Sequence, residues 1–237
     1  MARLPRLYAP RIPQLVQARF ARPLAAAGDP APAALLDRTR TWLAEEVQRQ
    51  PVALHAWALL PDRVVLLLTP ANERAAALVM QALGRRMGSG LLRARVYEGR
   101  YHNALLEPGR WVLPAMVWAE TLAVHQREVD QAARWPWSSA AEHVGLAGAP
   151  AQAPTLSDHP DYWQIGDTPF ARQAAWRQRL QAGISEAQQQ ALDAALHGQW
   201  ALGEKIFLSH LSRLATRRVS PAPRGRPKKT NPTAARK

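Results

Sequence analysis

The sequence predicts an α+β fold built on a ferredoxin-like core with an antiparallel sheet. Strand-type and helix-type hydrophobic patterns alternate through the first half of the 237-residue chain in the order β-α-β-β-α-β. Two of the strand-type segments are separated only by Pro61 and Asp62, and a two-residue connection implies an antiparallel hairpin. In a unit of this order we expect both helices on one face of the sheet.

Each element is predicted from its hydrophobic period, which is about 3.6 residues in a helix and two in a strand. An added helix is expected after the sixth element, where Pro108-Gly109 turns the chain, and shorter helices follow it. The predicted elements are strand 13–20, helix 33–50, strand 52–60, strand 63–69, helix 71–92, strand 101–106, helix 110–126 and helices 169–182, 185–197 and 201–216.

The composition changes after the added helix, and the chain is therefore expected to have three parts. Residues 1–130 form the core with its added helix, and residues 131–216 form a helical C-terminal region. This region is compatible with a helix-turn-helix type of module and equally with a helical cap on the core. Residues 217–237 form a basic, proline-rich tail whose composition is typical of a segment that is disordered when alone.

The bulk composition excludes several classes of protein. The chain has no cysteine, which rules out disulfides, thiolate metal sites and a cysteine nucleophile. Its longest aliphatic run, Val64–Leu68, is too short to span a bilayer, and the N-terminus lacks the apolar segment of a signal peptide. We therefore expect a cytoplasmic protein that does not associate with membranes.

The net charge of +13 is concentrated at the two ends of the chain. Residues 1–22 hold five arginines and no acidic residue, and residues 213–237 hold nine basic residues and no acidic residue. The remaining 17 basic and 18 acidic residues leave the middle of the chain at −1. Basic ends on a neutral globular body are typical of nucleic-acid-binding proteins.

Seven motifs occur in order along the chain: ARLPRL, ALLPDRVVLLLTP, MQALGRRM, YEGRY, WPWSS, GQWALG and RGRPKK. Together they resemble those of the REP-associated tyrosine transposases, the insertion-sequence-200-like branch of the HUH endonucleases, and the resemblance covers nearly the whole chain. It implies a ferredoxin-like core, binding of single-stranded DNA hairpins, often as a homodimer, and strand cleavage through a tyrosine with Mg²⁺ or Mn²⁺.

The chain departs from this family at the residues that carry its chemistry. The family's His-x-His pair shares one metal because residues i and i+2 of a strand face the same side. Arg63 and Val65 stand at these positions, and neither side chain offers a lone pair to a metal. Trp118 stands at the nucleophilic tyrosine and Leu122 at the helix asparagine. We therefore expect a transposase-like DNA-binding protein that requires no cofactor and does not cleave DNA.

Two alternatives remain open at the level of sequence. In the first, the chain is an active metal-dependent transposase whose chemistry has moved. His55 and His125 would then rebuild a metal site, and Tyr97 or Tyr101 would replace the nucleophile. In the second, the chain is a scaffold or a decaying remnant that has no nucleic-acid function.

Arginine and lysine side chains are the candidate DNA contacts. Arg63 lies on the former catalytic face, and Trp118 either stacks on an unpaired base or belongs to the core. The tail carries Arg-Gly-Arg-Pro, which is similar to the AT-hook core that enters the minor groove, and it suggests association with the nucleoid. The candidate DNA-binding residues are Arg63, Arg85, Arg86, Arg93, Arg95, Arg100, Arg224, Arg226, Lys228 and Lys229.

Overall fold

A computed structural model describes residues 5–25, 32–146 and 152–221 of the chain. Within these ranges five strands and eight α-helices follow one another, with a 3-10 turn at Ala132–Arg134. The elements are β1 (Gln14–Arg19), α1 (Pro32–Arg49), β2 (Val52–Leu59), β3 (Arg63–Pro70), α2 (Ala75–Gly90), β4 (His102–Leu106), α3 (Val112–His125), α4 (Ala140–His143), α5 (Pro160–Trp163), α6 (Pro169–Ala182), α7 (Glu186–Gly198), β5 (Ala201–Leu202) and α8 (Lys205–Leu214).

The sheet confirms the predicted ferredoxin-like core. Its strand order is β2-β3-β1-β4-β5, and the first four strands pair antiparallel throughout. The β2–β3 hairpin turns at Pro61-Asp62, where the amide of Leu60 donates to the carbonyl of Arg63 at 2.9 Å. The short strand β5 extends the sheet by pairing parallel with β4.

Helices cover both faces of the sheet, which explains why the apolar run Val64–Leu68 is buried although its side chains alternate between faces. On one face α1 packs against α2, and Tyr97, which follows α2, stacks on Phe20 next to β1. Arg19 precedes Phe20 and therefore lies on the other face. There α3 packs across β2 and β3.

The helix α3 is buried almost all round because the C-terminal helices α5, α6 and α7 pack on it. Its one buried acid, Glu120, is held by three donors from the C-terminal region. The hydroxyl of Ser139 and Nδ1 of His143 both lie 2.5 Å from Oε1, and Nε1 of Trp176 donates to Oε2 at 2.9 Å. This network joins the C-terminal helices to the core.

The WPWSS motif closes the outer edge of the sheet. The backbone of Ser139 donates to the carbonyl of Trp57 on β2 at 3.0 Å, and the amide of Trp57 donates to the Ser139 hydroxyl at 3.0 Å. The indole of Trp135 donates to the carbonyl of Leu59 at 3.0 Å. The segment therefore satisfies the polar backbone groups that an edge strand would otherwise leave unpaired.

One predicted helix is wrong at its start. The segment predicted as a single helix over 201–216 begins with the strand β5, and α8 starts only at Lys205. Tertiary pairing with Leu105 and Leu106 of β4 overrides the local helical pattern. In the described ranges, no helix has both the length and the hydropathy needed to cross a bilayer.

Candidate nucleic-acid interface

The positions that match the family's metal ligands lie at the start of β3, on the face covered by α3. The register places Arg19 of β1 beside Arg63 and Gln17 beside Val65. On the far side of β1, His102 of β4 is paired with Gln17. Paired residues in adjacent strands point to the same face, so these five side chains share one surface.

Four of these side chains, all except that of the fully buried Val65, line a cleft of about 740 Å³ between the sheet, α3 and α7. We call it the former catalytic cleft, because the sequence predicts that it corresponds to the family's catalytic site. The wall from α7 was not expected from the sequence, because nothing in its local pattern shows which surface the helix covers. The helices contribute Trp118, Leu122, His125, Gln189, Asp193, Leu196 and His197 to the cleft.

The replaced residues belong to the protein core rather than to a solvated site. Val65 is fully buried, Trp118 is 2% exposed and Leu122 is 7% exposed. Trp118 therefore offers no free ring face on which a base could stack, and of its two predicted roles the structure supports the one in the core. Around the former catalytic cleft, apolar packing occupies the positions at which the family has a nucleophile and its helix partner.

The described residues include no group of three or more His, Asp or Glu side chains that could hold a metal ion. His125 lines the cleft, as expected, but the prediction that His55 approaches it is wrong. Because β2 runs antiparallel to β3, His55 lies beside the far end of β3. Its ring nitrogens contact the carbonyl of Ser157 at 2.6 Å and the hydroxyl of Thr69 at 2.8 Å.

Neither candidate replacement nucleophile lines the cleft. The hydroxyl of Tyr97 donates to the carbonyl of Met80 at 3.1 Å on the α2 face. The ring of Tyr101 lies beneath the guanidinium of Arg6, 4.0 Å from its centroid. Burial raises the pKa of both phenols, which disfavours the phenolate that would attack a phosphorus atom.

Arg63 points along the cleft but is already paired. Its Nε and Nη2 donate to the carboxylate of Asp62 at 3.0 and 2.7 Å, and its side chain is only 15% exposed. Burial by itself would raise the pKa of Asp62, but the hydrogen bonds and charge of Arg63, with Gln126 and Arg19, lower it. A DNA phosphate at Arg63 would therefore have to compete with an ionised carboxylate.

A second pocket of about 680 Å³ lies on the other face of the sheet, between α2 and the loop 91–101. We call it the α2 pocket. Gly84 lets the loop approach the helix, since a Cβ at this position would lie 2.7 Å from Cε2 of Tyr97. Four of the predicted DNA-binding residues and one further arginine line the pocket: Arg85, Arg93, Arg95, Arg100 and Arg6.

Arg86 does not join this pocket, although it neighbours Arg85 in sequence. Successive residues of a helix point about 100° apart, and Arg86 faces α1. Its guanidinium forms ion pairs with Glu45 at 2.6 Å and Glu46 at 3.1 Å. Of these two neighbouring arginines, Arg85 is therefore exposed and Arg86 is paired with acidic residues.

The four basic residues predicted from the tail motif, Arg224, Arg226, Lys228 and Lys229, lie outside the described residues.

Sequence reasoning missed Arg6 as a site residue and identified it only as part of a basic end. Arg6 is identified as a site residue only by contacts between segments that are distant in the sequence. The N-terminal segment runs beside β4, where the side-chain amide of Asn103 donates to the carbonyl of Leu7 at 2.8 Å.

Comparison with known proteins finds similarity in structure only. No protein-family model and no curated protein sequence matches the chain. A REP-associated tyrosine transposase solved in complex with a REP hairpin superimposes with a TM-score of 0.53 at 13% sequence identity. The match covers 68% of this chain and 96% of that protein. A candidate transposase from Deinococcus radiodurans R1 matches with a TM-score of 0.34 and 17% identity, over 54% of this chain and 96% of that one.

The fold of about two thirds of this chain thus finds a counterpart in a solved transposase. At 13% identity the likeness concerns the path of the backbone and not the side chains of the site. The protein has the fold of a REP-associated tyrosine transposase.

Proposed function

We propose that this protein is a transposase-like DNA-binding protein that recognises hairpin or repeat DNA without cutting it. The observation that carries the proposal is the content of the former catalytic cleft. The cleft is lined by Arg63, which is paired with Asp62, and by the buried Trp118, and Val65 on the same face of β3 is fully buried. Cleavage would need two metal ligands and a tyrosine at these positions.

DNA binding is supported by the distribution of charge. The chain carries +13 in total, and five arginines line the α2 pocket. A hairpin is the appropriate ligand to test, because the transposase of similar fold was solved in complex with a REP hairpin. The same proposal places the protein in the bacterial cytoplasm, in association with the nucleoid, and includes its binding to DNA as a homodimer.

The test uses a labelled single-stranded hairpin and a scrambled strand of equal length as the control. Both are incubated with the protein and Mg²⁺ or Mn²⁺ at about 150 mM salt and run on native and denaturing gels. We expect a hairpin-selective shift on the native gel, with neither a shortened strand nor a covalent adduct on the denaturing gel. The mass of the complex, from light scattering, gives the number of protein copies.

Each contrary outcome identifies one of the alternatives. A metal-dependent cut or adduct would overturn the proposal in favour of an active transposase, and loss of the adduct in Tyr97→Phe or Tyr101→Phe would identify the nucleophile. Weak binding that does not distinguish the hairpin from the scrambled strand and disappears at about 150 mM salt would favour a protein without nucleic-acid function.

A further inference from the structure

We propose that the nucleic-acid strand crosses the α2 pocket, on the face of the sheet opposite the former catalytic cleft. The inference rests on the proposed DNA binding and names its location. Three features of the described residues carry it: the guanidinium groups of Arg85, Arg93 and Arg95 in the α2 pocket, the compensated charge of Arg63 and Arg19 in the cleft, and the contacts that hold Arg6 beside the pocket.

Five arginines line the α2 pocket, and among the residues that the structure describes its lining contains no acidic side chain. Arg93 donates to the carbonyls of Arg22 and Pro23 at 2.9 and 3.2 Å, and Arg95 donates to the carbonyls of Tyr97 and Glu98. These bonds to neutral carbonyls hold the guanidinium groups in place while their positive charge remains. Such an arrangement suits phosphates, which arginine binds through paired N–H donors.

The former catalytic cleft has the opposite balance. Three arginines line it, and one of them, Arg100, also lines the α2 pocket. Of the other two, Arg63 is bonded to Asp62, and Nη1 of Arg19 lies 3.8 Å from the same carboxylate. Glu98 and Asp193 also line the cleft. A phosphodiester backbone gains less from this surface, because nearby carboxylates repel it and cancel the field of the arginines.

The floor between the pocket arginines is apolar, which distinguishes the pocket from a simple anion site. Ala77, Met80, Val96 and the tyrosines at 97 and 101 line it. A nucleotide offers an apolar base face as well as a phosphate, so a single strand can use both parts of the pocket.

The two ends of the chain meet next to this pocket. The amide of Thr216 donates to the carbonyl of Tyr8 at 2.9 Å, and the Thr216 hydroxyl donates to the carbonyl of Arg6 at 2.8 Å. The guanidinium of Arg217 lies 5.1 Å from the ring of Trp200 and donates to the carbonyl of Gln199, whose side chain accepts from Arg6. These contacts bring Arg6 and Arg217, which are distant in sequence, together next to the pocket.

The first test measures the affinity of a hairpin with a single-stranded flank across a series of salt concentrations. We expect Arg85→Ala combined with Arg95→Ala to weaken binding about tenfold near 150 mM salt and to lower the salt dependence by about 0.7 per lost phosphate contact. Arg134→Ala combined with Arg179→Ala, which removes two exposed arginines that do not line the pocket, is the matched charge control.

The second test locates the strand directly on the unmodified protein. A flank carrying 4-thiothymidine is crosslinked by light, and the attached peptides are identified by mass spectrometry. We expect peptides from α2 and the loop 91–101. Crosslinks to α3 or α7, or a loss of affinity in Arg19→Ala that equals the loss in the α2 pocket variant, would overturn the inference. If the wild-type protein binds no strand, the proposed function itself fails, whereas wild-type binding with unaffected pocket variants refutes this inference alone.

Discussion

Replacement of Glu120 by alanine is expected to lower the free energy of unfolding by about 3–5 kcal/mol. The carboxylate is fully buried and accepts hydrogen bonds from Ser139, His143 and Trp176. Burial would lower the pKa of His143, but the charge and hydrogen bond of Glu120 raise it. Removing Glu120 leaves the buried donors of His143 and Trp176 without an acceptor, each of which carries a desolvation cost, whereas the Ser139 hydroxyl keeps the carbonyl of Trp57 at 3.2 Å.

The change in stability is measured by urea denaturation followed through tryptophan fluorescence. Glu128→Ala is the control, because it removes an exposed carboxylate just after the same helix and should change stability by less than about 0.5 kcal/mol. If Glu120→Ala lies within 1 kcal/mol of the wild type, the network does not hold the C-terminal helices to the core as described.

The second large effect concerns pH. Burial lowers the pKa of His55 to about 4, while the bond to Ser157 opposes this shift and His159 and His143 add to it. In the unfolded chain the imidazole has a pKa near 6.5, so the unfolded state binds the proton more readily. The stabilisation by neutral His55 is therefore complete above about pH 6.5 and is lost as the pH falls towards 4. By pH 4 this loss amounts to about 3 kcal/mol.

His143 titrates in the opposite sense and has to be separated from His55. Its pKa is raised in the folded state, so its contribution is complete below its unfolded pKa and is lost as the pH rises through the folded value. The loss of stability at low pH that is due to His55 is therefore measured as the difference between a His55 variant and the wild type. We expect His55→Gln to have a flatter stability profile between pH 7 and 4 than the wild type.

Urea denaturation at several pH values gives this profile. His210→Gln is the control, because His210 is exposed on α8. A His55→Gln protein that loses as much stability as the wild type between pH 7 and 4 would show that the contacts of His55 with Ser157 and Thr69 do not keep its ring neutral. His159, whose ring centroid lies 4.9 Å from that of His55, would then be the next group to replace.

Much of the core was predictable because local patterns and the required topology agree. The two-residue turn at Pro61-Asp62 specified the hairpin, and the observed strand order is the one that a β-α-β-β-α-β sequence adopts. The start of the last predicted helix was not predictable. Ala201 and Leu202 both favour a helix, and pairing with β4 overrides that local preference.

The candidate site was predictable to the extent that it depends on the identity of side chains. Valine and tryptophan have no chemistry for binding a metal or attacking a phosphate, whatever fold surrounds them. Whether an arginine can bind a phosphate depends instead on which residues lie next to it in the folded protein. Arg85 and Arg86 are adjacent and identical, yet Arg86 pairs with Glu45 and Glu46 while Arg85 lines the α2 pocket.

The sequence by itself therefore determined the ferredoxin-like core, the excess of positive charge at both ends and the absence of the family's ligands and nucleophile. These properties follow from composition, short-range periodicity and the chemistry of single residues. Only the tertiary structure decided that Arg63 is paired with Asp62, that α7 walls the former catalytic cleft and that the two basic ends meet beside Arg6. Electrostatic compensation and burial depend on contacts between residues far apart in the chain, and no local pattern encodes them.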